Sequence, residues 1–102
     1  MIRKCSKCNK KFHEGELEVS HDFPKYLGGT DKEGRHLLCK ECHTHYDYCI
    51  LADVFYKIYK IQIPYSLDRR KYIPLICRLK REKKDSRYNI IVERVKEEFF
   101  KK

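Results

Sequence analysis

Two periodicities divide this chain. Leu17-Glu18-Val19-Ser20-His21 alternates apolar and polar positions with a period of two, which predicts a half-buried strand. With Leu17 and Val19 facing the core, the same period puts His21 on the inner side, at the strand's end. The strand then meets Pro24, and a Gly28-Gly29 turn follows inside a loop over residues 25–34, with Tyr26 and Leu27 as packing anchors. A second short strand is expected from about Arg35 to Leu38. From Cys42 to about Ile61 the spacing turns helical: Leu51, Val54, Phe55, Ile58 and Ile61 form a core stripe that Pro64 terminates. Pro74 suits the first turn of another helix, and Ser86 the cap of a last one. In that last helix Tyr88, Ile91, Val92, Val95 and Phe99 share one side. That side must bury against the rest of the chain or against a second copy, as a homodimer through the C-terminal helices. Cys49 reads as a buried free thiol within its helix, and Cys77 as a packing residue on an apolar helix face.

Composition narrows the class. At 102 residues, with 41% hydrophobic and 38% charged positions, this is one folded domain and not a disordered chain. Its core is small enough to need a staple. The pattern divides into residues 1–63, a compact finger, and 64–102, a basic helical extension. Net charge is +9. Residues 1–50 hold nine Lys/Arg against eight Asp/Glu, and residues 51–102 hold fifteen against seven. The excess lies outside the finger, in Arg69, Arg70, Lys71, Arg78, Lys80, Arg81, Lys83 and Lys84 above all, as a phosphate-backbone footprint would require. That points to a nucleic-acid partner. No run of 18 apolar residues and no apolar stretch behind the basic N-terminus is present, so neither a membrane span nor a secretory signal is expected. The expected setting is cytoplasmic and reducing.

The cysteines supply the staple. Cys5-Ser6-Lys7-Cys8 and Cys39-Lys40-Glu41-Cys42 are two Cys-x-x-Cys knuckles with 30 residues between Cys8 and Cys39. Four thiolates grouped two and two suit one tetrahedral structural Zn²⁺. A reducing compartment disfavours disulfides between them. Other zinc chemistries fit less well. A nucleic-acid deaminase needs H-x-E, and His13 is followed at the second position by Gly15; Leu38, not proline, precedes Cys39. The H-E-x-x-H of a metalloprotease is missing.

Taken in order, the knuckle Cys5–Cys8, His21-x-x-Pro24, Gly28-Gly29, Leu38-Cys39 and Cys42-His43 resemble the HNH nucleases, also called His-Me finger or ββα-metal nucleases. The resemblance covers roughly residues 5–60. It implies an α+β fold, a zinc-stapled ββα-metal finger followed by the basic helical extension. It also implies a metal-dependent endonuclease that hydrolyses DNA, with His21 as general base. A neutral imidazole suits that task because its ordinary pKa lies near working pH. A second, catalytic divalent metal (Mg²⁺, Mn²⁺ or similar) is expected on the helix after the last knuckle. There His43 and Asp47, four residues apart, share a face and can converge on one ion. His45 points away on the same helix. Two positions depart from the family pattern. Ser20 stands before the base where the family has a metal ligand, and Asp22 or a water takes over that role. The family's central Asn falls on Gly34, with His36 two residues on as its substitute in orienting the base. The same departures define the alternative, a catalytically inactive zinc-finger protein that binds nucleic acid on the same scaffold.

Overall fold

The computed structural model describes residues 1–65, 71–79 and 86–101. Of the basic residues that carry the charge excess, Arg69, Arg70, Lys80, Arg81, Lys83 and Lys84 lie outside the described residues.

The chain is α+β, with two small antiparallel sheets and three α-helices among the described residues. β1 (Ile2–Lys4) and β2 (Lys11–His13) pair as a hairpin in the register Ile2↔His13, and the first knuckle is its connecting loop. That loop closes through Cys5 N–H to the Lys10 carbonyl at 3.0 Å and Asn9 N–H to the Cys5 carbonyl at 3.0 Å. Asn9 takes the left-handed conformation (φ 61°) that asparagine tolerates better than most residues. Ser6 N–H then reaches the Leu37 carbonyl at 2.9 Å and docks the loop on the second sheet.

The second sheet pairs β3 (Leu17–His21) with β4 (Arg35–Cys39), running from Leu17↔Cys39 to His21↔Arg35. The face turned to the core is not the expected one. Val19 is 47% exposed whereas Ser20 is 1% exposed. Leu38 decides the matter: it is fully buried, and it pairs with Glu18, so Glu18 and Ser20 share its face of the sheet. A five-residue strand with two apolar positions leaves its facing to the partner strand.

α1 (Lys40–Lys57) follows β4 directly, with Cys39 as its N-cap. It buries Tyr46, Ile50, Leu51, Val54 and Phe55 completely. The helix stops well before Pro64. Lys60 adopts φ 59°, and Ile61 N–H turns back to the Phe55 carbonyl at 2.9 Å, leaving Ile61 36% exposed and outside the stripe it was expected to join. α2 (Ile73–Leu79) turns Ile76 inward. Cys77, beside it, is exposed instead of packed, and Cys49 on α1 is half-buried. α3 (Ser86–Phe99) buries Tyr88, Ile91, Val92, Val95 and Phe99. It packs on α1, and Tyr88 OH and Tyr59 OH share a hydrogen bond of 2.9 Å. The apolar side of the last helix is thus spent within the chain, in one core continuous with that of the finger. Each fully buried Leu, Ile or Phe there contributes about 1.5–3 kcal/mol.

Between β3 and β4 the loop is held at closely spaced points. Gly29 N–H bonds the Pro24 carbonyl at 2.9 Å, and a Cβ there would lie 1.7 Å from the Phe23 carbonyl oxygen. Gly29→Ala must therefore move backbone, and a loss of about 3 kcal/mol is expected. Gly15→Ala, with nothing within 4 Å of the added carbon, should change stability by no more than about 1 kcal/mol. Urea denaturation of the two variants checks this; equal stabilities would contradict the packing described.

Candidate functional site

The four knuckle cysteines come together. The Sγ atoms of Cys5, Cys8, Cys39 and Cys42 all lie within 4.8 Å of one another, and among the described residues no other group of three or more His, Cys, Asp or Glu side chains is so placed. Zinc–thiolate bonds of about 2.3 Å in a tetrahedron set sulfurs about 3.8 Å apart, so the donor set fits one structural Zn²⁺. Its electrostatics ask for a cation. Burial pushes the Cys5 thiol up, but the N–H groups of Cys39, Cys8 and Lys7 outweigh it and hold the thiol down at about 6. Burial pushes the Cys39 and Cys42 thiols up, and the charge on Cys5 raises both further. One thiolate therefore forms readily and opposes its neighbours. A divalent ion removes the conflict by deprotonating all four.

Beside this cluster His21, His43 and Asp47 line one cleft of about 190 Å³, together with Val19, Pro24, Lys25, Tyr26 and Ile73. His21 ends β3, while His43 and Asp47 sit in the first turns of α1. His43 Nδ1 lies 2.7 Å from Glu18 Oε1, and its Nε2 lies 3.7 Å from Asp47 Oδ2. An ionised carboxylate only accepts, so Nδ1 carries the hydrogen toward Glu18, while Asp47 faces the other ring nitrogen. Asp47 is 5% exposed, and Tyr26 O–H donates to its Oδ1 at 3.4 Å. His45, on the opposite side of the helix, approaches Cys49 Sγ at 3.7 Å and the Tyr65 ring.

His21 Nε2 lies 2.6 Å from Asp31 Oδ1. The hydrogen bond from His21 holds the Asp31 carboxyl below the usual carboxylate range; desolvation opposes it, and the charges of Arg35 and Lys25 add to the lowering. No family model matches this chain, and neither a curated protein nor a solved structure does.

The structure places the remaining candidates elsewhere. His36 does not line the cleft: its Nδ1 donates to Asp22, and its ring stacks on Phe100 with centroids 4.0 Å apart. Asp22, 5% exposed, is also held by Lys96 Nζ at 3.5 Å, while its carbonyl accepts Tyr46 O–H at 2.7 Å. These bonds tie Asp22 to α3 and to the second sheet. Two carboxylates escaped the sequence reading, Glu18 and Asp31. Thr30-Asp31-Lys32-Glu33 has the spacing of a capping box, a signal that could have marked Asp31 as fixed. Nothing in the sequence marks Glu18. No helix among the described residues is long and apolar enough to cross a membrane.

Purified protein should carry about one zinc per chain, and a strong chelator should unfold it, because metal binding is part of the folding free energy. Elemental analysis alongside circular dichroism checks this. Well-folded protein free of zinc would contradict the assignment.

Proposed function

We propose that this chain is a metal-dependent endonuclease of the HNH kind, hydrolysing DNA phosphodiester bonds with His21 as general base. The observation that carries the reading is the single cleft shared by His21, His43 and Asp47 beside the four-cysteine cluster. The connectivity agrees with it: two antiparallel strands lead directly into the helix that bears the second knuckle. His21 accepts a proton from the attacking water as the water oxygen bonds to phosphorus. The bond to the leaving oxygen breaks, and that oxygen takes a proton from solvent. His43 Nε2 and Asp47 Oδ2 would hold a divalent cation, with Glu18 fixing the His43 ring from behind. Once bound, the cation supplies positive charge to the phosphoryl and leaving oxygens. Two protein ligands suit a Mg²⁺-type ion that keeps several waters.

One observation favours the second reading, a nucleic-acid-binding zinc module without catalysis. Ser20 is 1% exposed, and Asp22 is bound to Lys96 and His36, so neither completes a metal site at the cleft. On this reading the cleft is a structural polar cluster, and the zinc finger presents the basic extension to the phosphate backbone.

Supercoiled-plasmid nicking over a series of divalent metals separates the two. His21→Ala should lose about 10²–10⁴-fold in rate with zinc content unchanged. His43→Ala should lose activity that excess divalent metal partly restores. Nicking undiminished in His21→Ala, or absent from the wild type with every metal, contradicts catalysis by this cleft.

Duplex binding should be steeply salt-dependent in either case. Neutralising one backbone-contacting charge, with Lys71→Gln and Arg78→Gln as the first two to try, should reduce the slope of log affinity against log salt by about one. Binding that is flat in salt would contradict a phosphate-backbone footprint.

A further inference from the structure

Asp31 reaches His21 from a loop built in several independent ways to deliver it. Pro24 starts a tight turn over Lys25–Leu27 that ends at Gly28 with φ 93°. Gly29 then lies against the Phe23 and Pro24 carbonyls too closely for any side chain. Thr30 caps the next turn, Asp31–Glu33: its hydroxyl accepts from Lys32 N–H at 3.2 Å, while Glu33 Oε2 accepts from Thr30 N–H at 2.9 Å. Gly34, at φ 107°, returns its N–H to the Asp31 carbonyl at 3.3 Å, and its carbonyl accepts Asp22 N–H at 3.0 Å. Every one of these bonds uses backbone or a neighbouring side chain. The Asp31 carboxylate makes none of these bonds. It is spent on His21, which is 17% exposed while Asp31 is 68% exposed.

We propose that Asp31 is the positioning residue of His21, accepting the Nε2–H and so fixing the tautomer in which Nδ1 carries the lone pair. The consequence for catalysis rests on the nuclease reading, whereas the pairing itself does not. His36, which the family resemblance offers for this role, is committed to Asp22 and Phe100. A carboxylate on the far nitrogen does two things for a general base. It prevents the ring from turning its N–H toward the water, and it stabilises the imidazolium formed when the proton arrives.

The ring nitrogens report this directly. In ¹⁵N-labelled, zinc-loaded protein at about pH 8, where an ordinary imidazole is neutral, the wild-type His21 should show hydrogen on Nε2. Asp31→Ala should lose that single tautomer and become a mixture, with nicking slowed about ten- to hundredfold. Asp31→Asn, whose amide can donate as well as accept, no longer imposes hydrogen on Nε2, and should likewise lose the single tautomer and slow nicking. Because the side chain is exposed and the other loop bonds do not use it, zinc content and melting should stay near wild-type values in both variants. Hydrogen on Nδ1 in the wild type would overturn the proposal. So would a tautomer and a rate both unchanged in Asp31→Ala. Should the wild type nick nothing, the nuclease reading fails and the spectra alone decide: a tautomer lost in Asp31→Ala upholds the pairing, and one retained refutes it.

Discussion

Four thiols brought to one point are the constraint on which the rest depends. Cys5 and Cys8 sit in the loop of an N-terminal hairpin, while Cys39 ends β4 and Cys42 lies in the first turn of α1. A cation bound there would lock three elements whose own contacts are meagre: a hairpin with three residues per strand, a two-stranded sheet and the start of a helix. None of these is stable alone in water. The same lock would help fix the first turn of α1, where His43 directly follows Cys42 in sequence. Through Cys42 and His43 the thiol cluster and the histidine cleft are joined on one helix.

From the cleft outward the molecule is polar and paired. No buried side-chain nitrogen or oxygen among the described residues lacks a partner. Each of the three histidines nearest the second sheet has a carboxylate: His21 with Asp31, His36 with Asp22, His43 with Glu18. Asp22 goes furthest, since it joins β3, β4, α1 and α3 through backbone and side chain together. Its partner Lys96, with Phe99 and Phe100, brings the end of α3 against the finger, so the C-terminal helix is part of the scaffold around the site.

What the sequence made legible was whatever local chemistry determines. The two knuckles follow from thiolate spacing, the amphipathic side of α3 from its period, and the strand pair from alternation and a Gly-Gly turn. His21, His43 and Asp47 were picked out through a family resemblance, and they do share a cleft. The facing of β3 was not legible, because Leu37 and Leu38 compete for one inward position and only packing chooses Leu38. The end of α1 was not either: a left-handed Lys60 carries no sequence mark. Asp31 and Glu18 were missed for a related reason. A carboxylate that pairs with a histidine 10 or 25 residues away is set by tertiary approach, and no spacing rule reaches that far.

X-ray absorption at the zinc edge tests the organising role of the cluster most directly. With one zinc bound per chain, the account predicts four sulfur neighbours at about 2.3 Å and no imidazole scattering. That result leaves His43 to the cleft, with Glu18 and Asp47. A shell of three sulfurs and one imidazole nitrogen would contradict it, because His43 would then belong to the zinc and the cleft would lose the residue that links it to α1.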